Sequence, residues 1–233
     1  TFRNDPQDKK SISGNAIYDL LNQSDGNIWV ASVAGLDQFN YAGNSFIHYT
    51  HPNPEEPAIN NLTQTPSGEI LVSNVHSILQ VNQVDTTLSY YQPYGVDIND
   101  LDFGEITDLI VDQTARIWVA TLTKGVFMID PSIMKIRRFA CEQPGDYSLV
   151  TNNVRCLLQD QSGSILLGTD SGLHKITLSH QDTDQVASNQ LYLRGVSCKS
   201  MLQTRNGRIW IGTSENGLYF CKDSDSMQFN KVS

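Results

Sequence analysis

Two tyrosines, two aspartates and an asparagine stand close together at Tyr91, Tyr94, Asp97, Asn99 and Asp102. Aromatic rings stack on the C–H faces of a pyranose, and carboxylates or amides bridge its hydroxyls, so this mixture suits sugar recognition. His51 with Asn53, and Asp146 with Tyr147, repeat the mixture in two other stretches punctuated by Pro, Gly and Asn. The acids could also serve a hydrolase, because Asp97, Asp100, Asp102 and Glu105 cluster and paired carboxylates cleave glycosidic bonds. A solvated acidic loop is the commoner outcome. Its spacing does not match an EF-hand, which needs Gly at the sixth position and Glu at the twelfth. Cys141, Cys156, Cys198 and Cys221 contain no C-x-x-C pair, and the five histidines form no ligand cluster by spacing. The sequence therefore assigns no catalytic residue, no metal and no cofactor.

These loops need elements to hold them, and the chain supplies the elements as a repeat. A polar turn followed by an apolar pair occurs five times: Asp25-Gly26-Asn27-Ile28-Trp29, Ser67-Gly68-Glu69-Ile70-Leu71, Thr114-Ala115-Arg116-Ile117-Trp118, Ser162-Gly163-Ser164-Ile165-Leu166 and Asn206-Gly207-Arg208-Ile209-Trp210. The last residues of these phrases lie 42, 47, 48 and 44 positions apart, the length of a four-stranded propeller blade. Twelve positions before each anchor (Trp29, Leu71, Trp118, Leu166, Trp210) stands Ile17, Ile59, Ile106, Val154 or Cys198, each opening a short apolar run. A second turn follows the anchor at Gly35, Gly125, Gly172 and Gly217, with Ser77 in the second repeat. Each unit thus reads strand, hairpin, strand, turn, strand, turn, strand.

The fold class predicted is all-β: a propeller of five four-stranded blades at about 13–50, 57–92, 104–140, 150–194 and 196–233. The outer strand of the fourth blade has only a weak signal, near Leu191–Leu193. Ala115 breaks the glycine rule of the first hairpin, so that turn is either strained by about 1 kcal/mol or rearranged. Asn15 and Asn152, at matching positions before inner strands, are expected to bond local backbone in Asx-type turns. Phe2, Ser11 and Ile17 repeat the spacing of Phe139, Ser148 and Val154. Residues 1–12 therefore read as the stub of a preceding blade, and the chain as part of a propeller of about seven or more blades, with a closed five-bladed ring as the rival. An open arc would favour a homodimer.

Composition narrows the partners. Hydrophobic residues make up 39% and charged residues 18%, as in a water-soluble globular chain, and there is no apolar run of the ~18 residues needed to span a bilayer. Any membrane attachment would come through segments outside these residues. The net charge of −9 and pI of about 4.8 argue against nucleic acid.

The combination Asp25-Gly26-Asn27-Ile28-Trp29-Val30-Ala31-Ser32 with Gly35-Leu36, and again Asn206-Gly207-Arg208-Ile209-Trp210-Ile211-Gly212-Thr213 with Gly217-Leu218, closely resembles the two-component regulator propeller repeat. The resemblance covers essentially the whole chain; the second blade departs most, with Leu71 for Trp and Ser77 for Gly. It implies a periplasmic, non-catalytic sensor region of an inner-membrane histidine kinase or diguanylate cyclase receptor, recognising a small molecule or glycan. A scaffold for protein interaction is the alternative. The same hairpins loosely resemble the aspartate boxes of sialidases, but only Arg155 and Arg194 lie near inner strands, too few for a carboxylate clamp. A propeller glycosidase is thus the remote reading. The expected ligand residues are Tyr91, Tyr94, Asp97, Asn99, Asp102, His51, Asn53, Asp146 and Tyr147, all on loops that lead into inner strands.

Overall fold

The computed structural model describes residues 1–23, 26–93, 98, 101–179, 185–222 and 226–232. The chain forms a five-bladed β-propeller of four-stranded antiparallel sheets. Blade 1 comprises β1 (Ile17–Asn22), β2 (Ile28–Ser32), β3 (Gly35–Asn40) and β4 (Ser45–Tyr49). Blade 2 has β5 (Asn61–Gln64), β6 (Ile70–Ser73), β7 (Ile78–Asn82) and β8 (Thr87–Tyr90). Blade 3 has β9 (Ile106–Val111), β10 (Ile117–Thr121), β11 (Val126–Asp130) and β12 (Lys135–Phe139). Blade 4 follows with β13 (Val154–Gln159), β14 (Ile165–Thr169), β15 (Gly172–Leu178) and β16 (Val186–Tyr192), and blade 5 with β17 (Cys198–Gln203), β18 (Ile209–Thr213), β19 (Leu218–Cys221) and β20 (Phe229–Lys231). A 3-10 turn spans Gly145–Tyr147. No helix among the described residues is long and apolar enough to cross a membrane. The chain divides into two compact units, 1–111 and 112–233.

The period-2 pattern of the middle strands gives every blade two apolar faces. In unit 1, Trp29 and Ala31 of β2 join Ile59, Leu62, Ile70 and Val72 of the second blade in one cluster. Val30, between them in sequence, faces the other way and packs with Ile12 and Phe46. Phe2 closes over that side, its ring 5.0 Å from Phe39 and 5.2 Å from Phe46. In unit 2, Leu166 and Leu173 meet Cys198, Ile209 and Ile211 across the junction of blades 4 and 5. The residue three positions after Ile17, Ile59, Ile106 and Val154 reports on this stacking: Leu62, Leu109 and Leu157 are 7%, 1% and 6% exposed, whereas Leu20 of the first blade is 62% exposed.

All five first hairpins close alike, the residue at the turn donating its N–H to the carbonyl three positions earlier at 2.9 Å: Gly26 to Gln23, Gly68 to Thr65, Ala115 to Asp112, Gly163 to Asp160 and Gly207 to Thr204. Ala115 holds φ +64 there, so the turn keeps its geometry and stores the strain instead of rearranging. Ala115→Gly is expected to raise the unfolding free energy by about 0.5–1 kcal/mol, read from denaturant midpoints.

Two local expectations are corrected. The outer strand of blade 4 is seven residues long, not a fragment around Leu191, and it pairs with β15 through a bulge near Leu178. Its polar residues Ser188, Asn189 and Gln190 hid the alternation. Asn15 and Asn152 do not form local turns. Each carboxamide oxygen accepts the backbone N–H eleven residues upstream, from Asn4 (2.9 Å) and Cys141 (2.7 Å), the first tying the N-terminal segment to the approach of β1 and the second tying the end of β12 to the approach of β13.

Candidate functional site: the loop ends of the inner strands

In an antiparallel meander, the turn between the second and third strands and the segment leading into the first strand lie at the same end of the blade. In unit 1 that end holds a cavity of about 340 Å³ lined by residues 55–58 and 74–76, including Glu55, Asn74 and His76. Asn74 shapes the turn in place of the missing glycine: its side-chain oxygen accepts the N–H groups of His76 (2.9 Å) and Ser77 (2.6 Å). The His76 ring reaches the Gly104 carbonyl at 3.1 Å. His51 is 7% exposed, with Nδ1 against the backbone of Asn53 at 2.7 and 2.9 Å, while its buried Nε2 has no hydrogen-bond partner among the described residues. Asn53 accepts the Glu55 N–H at 3.1 Å.

The inserted loop after β8 is anchored by apolar side chains that its polar composition concealed: Ile98 and Phe103 are each 1% exposed. Tyr91 donates its backbone N–H to Ile78 at 2.9 Å, and Asp102 is exposed and accepts the Gly104 N–H at 3.2 Å. Tyr94, Asp97 and Asn99 lie outside the described residues.

In unit 2, Asp146 is exposed, and Tyr147 packs its ring 5.2 Å from Phe139 and beneath the Arg137 guanidinium at 5.6 Å. The segment is tied to the outer strand by Asn189, whose amide donates to the carbonyls of Asp146 and Ser148. Asn189 also meets Nδ1 of His174 at 2.7 Å, and His174 Nε2 accepts the Val150 N–H at 3.0 Å. That acceptor role requires the neutral ring, and burial, opposed by the Asn189 bond, lowers the affinity of His174 for a proton below its ordinary 6.5. The unfolded chain therefore binds the proton more readily. Stability is full above about pH 6.5 and falls as the pH drops towards the depressed folded value. The thermal midpoint should decline between pH 7.5 and 5.5 in the wild type, and less steeply in His174→Gln.

A second cluster in unit 2 converges on Asp170, in the turn between β14 and β15. Arg155 binds it in a fork (Nε 3.0 Å, Nη2 2.7 Å), Lys199 Nζ lies at 2.9 Å, Ser197 Oγ at 3.0 Å and Asn153 Nδ2 at 3.5 Å. The Arg155 hydrogen bonds foremost, against a smaller burial effect and with Lys199 and Ser197 adding to them, hold the Asp170 carboxyl far below the usual range. Sequence reading noted Arg155 but missed Lys199 altogether. The signal was a shared position: both follow the first residue of an inner strand.

One grouping looks like hydrolytic machinery. Ser13 Oγ lies 2.6 Å from Asp37 Oδ1 and 2.8 Å from His48 Nδ1, and His48 Nδ1 lies 2.6 Å from Asp37. A nucleophilic triad needs the serine on one ring nitrogen and the acid on the other. Here both share Nδ1, and Nε2 faces the Lys9 carbonyl at 2.7 Å, so the set fastens the N-terminal segment to β3 and β4. Cys198 is fully buried, its thiol pushed up to about 12 by desolvation, which leaves it inert as a nucleophile. Among the described residues no group of His, Cys, Asp and Glu is placed to hold a metal ion.

Residues 11–34 and 192–215 match the two component regulator propeller family. In these two segments the chain resembles that family's repeat. It is also similar to a histidine kinase P4 of Formosa agariphila, 23% identical across 95% of this chain and 17% of that protein. The extracellular domain of a hybrid two component system from B. thetaiotaomicron superposes with a TM-score of 0.74 at 20% identity, covering 99% of this chain and 30% of that one. The chain also shares its fold with virginiamycin B lyase from Staphylococcus aureus, with a TM-score of 0.66 and 13% identity over 93% of this chain and 70% of the lyase. It spans less than a third of the signalling proteins it matches.

Proposed function

We propose that the chain is a non-catalytic recognition region of a bacterial signalling receptor, held outside the cytoplasm in the periplasm and binding a small molecule or glycan at the loop ends of its inner strands. The observation that carries this reading is the regulator propeller repeat, found in both the first and the last blade. The relatives' signalling assignments support it. So does the Ser13–Asp37–His48 set, whose hydrogen bonds serve the fold. Binding would act by population shift, the signal being limited by the ligand's differential affinity for two arrangements of the receptor. The test is a thermal-shift screen against neutral and acidic oligosaccharides, with mass spectrometry of each mixture. Stabilisation without new products supports the reading, and turnover of any bound saccharide would refute it.

One observation favours a second reading, a scaffold that docks another blade or a second copy. The first blade exposes Leu20, Tyr18 and Ile17 (62%, 53% and 40%). Separately, the fifth exposes Leu202 (60%) and leaves Trp210 only half-covered, although Trp29 and Trp118 at the same slot are fully buried. Light scattering across a concentration series is expected to show reversible self-association, weakened by Leu202→Lys. A monomer at every concentration would remove this reading.

A further inference from the structure

Three inner strands, β1, β13 and β17, carry a bulge just after their first residue. In β13, Val154 pairs with Thr169 and Cys156 with Gly168, leaving Arg155 unpaired; in β17, Cys198 pairs with Thr213 and Ser200 with Gly212, leaving Lys199 unpaired. A bulge sacrifices ladder bonding and re-aims the extra side chain, and bulges gather beside functional sites. In two neighbouring blades the re-aimed residue is a cation, and both cations meet at Asp170. The bidentate Arg155 contact and the Ser197 hydroxyl already satisfy that carboxylate. Lys199 adds a second positive charge 2.9 Å from it, although the side chain is 40% exposed and could extend into solvent. The cluster therefore has two cations around one anion, on a protein whose net charge is −9. Asp170 offsets only one of the two positive charges that meet at this edge.

We infer that Arg155 and Lys199, pre-oriented by Asp170, form an oxyanion-binding site that reads the carboxylate or sulfate group of an acidic saccharide. Arg155 supplies a guanidinium that a ligand oxyanion must share with Asp170, which engages its Nε and Nη2, and Lys199 supplies a point charge with three donors, of which Asp170 takes one. The Ser197 and Ser214 hydroxyls, 3.4 Å apart at the same edge, offer hydrogen bonds to neighbouring sugar oxygens. Asp170 competes with the ligand for both cations.

This inference rests on the recognition reading and is tested separately from it. Calorimetric titrations would use galacturonate and glucuronate oligomers, a sulfated oligosaccharide, their neutral counterparts and inorganic sulfate. Acidic saccharides should bind at least tenfold more tightly than neutral ones, with affinity falling as salt rises. Arg155→Gln and Lys199→Gln should each weaken binding at least tenfold with unchanged melting behaviour, and Asp170→Asn should strengthen it severalfold. Inorganic sulfate binding as tightly as the saccharides would overturn the assignment to a sugar. Neutral saccharides that bind equally well, unaffected by the two Gln variants, would overturn the anion site and leave the recognition reading standing. An Asp170→Asn variant that binds more weakly, or no acidic saccharide binding at all, would also overturn it.

Discussion

Asp112→Ala should destabilise the protein by about 3–5 kcal/mol, because the substitution removes the buried carboxylate that pairs with the buried Arg116. The carboxylate is fully buried and holds the hairpin between β9 and β10 together. Oδ1 accepts the Thr114 N–H (2.9 Å) and hydroxyl (2.7 Å) and the Arg116 N–H (3.1 Å). Oδ2 accepts Arg116 Nε at 2.8 Å and the Trp118 indole N–H at 2.9 Å. Burial alone would push this carboxyl up; the Thr114 and Trp118 hydrogen bonds and the Arg116 charge outweigh it and hold it below its ordinary 3.8. The depressed folded value gives the sign of the pH dependence: this contribution is present above about pH 3.8 and is lost as the pH falls through the folded value. Urea unfolding of Asp112→Ala at pH 7 measures the loss. A change below 1 kcal/mol would mean that Arg116 finds water when Asp112 is gone.

Lys175→Met should cost about 3 kcal/mol for the converse reason. Asp160 occupies the Asp112 position one blade later, and its Oδ1 makes the same turn bonds, to Ser162 N–H (2.8 Å) and hydroxyl (2.6 Å) and to Ser164 N–H (3.0 Å). The anchor of that blade is Leu166, however, so no indole N–H reaches Oδ2. That oxygen is buried and makes no hydrogen bond among the described residues; Lys175 Nζ at 3.4 Å, on a side chain 11% exposed, compensates it as an ion pair. Removing the cation strands a buried carboxylate. Denaturant titration of Lys175→Met against Lys175→Arg separates charge from packing: Arg should recover most of the loss. Equal losses in both would show that the lysine stem and not its charge supports the blade.

The repeat made the fold legible because it recurs in residue types that packing demands. Trp29 and Trp118 are fully buried, as a shared anchor slot requires, and the glycine turns closed as their spacing indicated. The loops were less readable because polar residues serve solvation, turns and clasps alike. Tyr147 packs against Phe139 and Arg137, and His51 turns onto the backbone of Asn53. Ile98 and Phe103 were hidden inside an acidic stretch. Lys199 escaped notice because a bulge shifts the strand register by one residue, and a strict two-residue alternation cannot show which side chain is the extra one. Clasps such as Asn15 to Asn4 depend on a repeat junction, visible only by aligning the chain with itself.

The proposed place of ligand recognition is the loop ends of the inner strands. Hydrogen–deuterium exchange, with and without the tightest-binding saccharide of the titration panel, tests it most directly. Protection is predicted at residues 51–60 and 74–77 or at 153–155, 170 and 197–199, with the opposite hairpins at 112–116 and 160–164 unchanged. Protection confined to those opposite hairpins, or none anywhere, would contradict it.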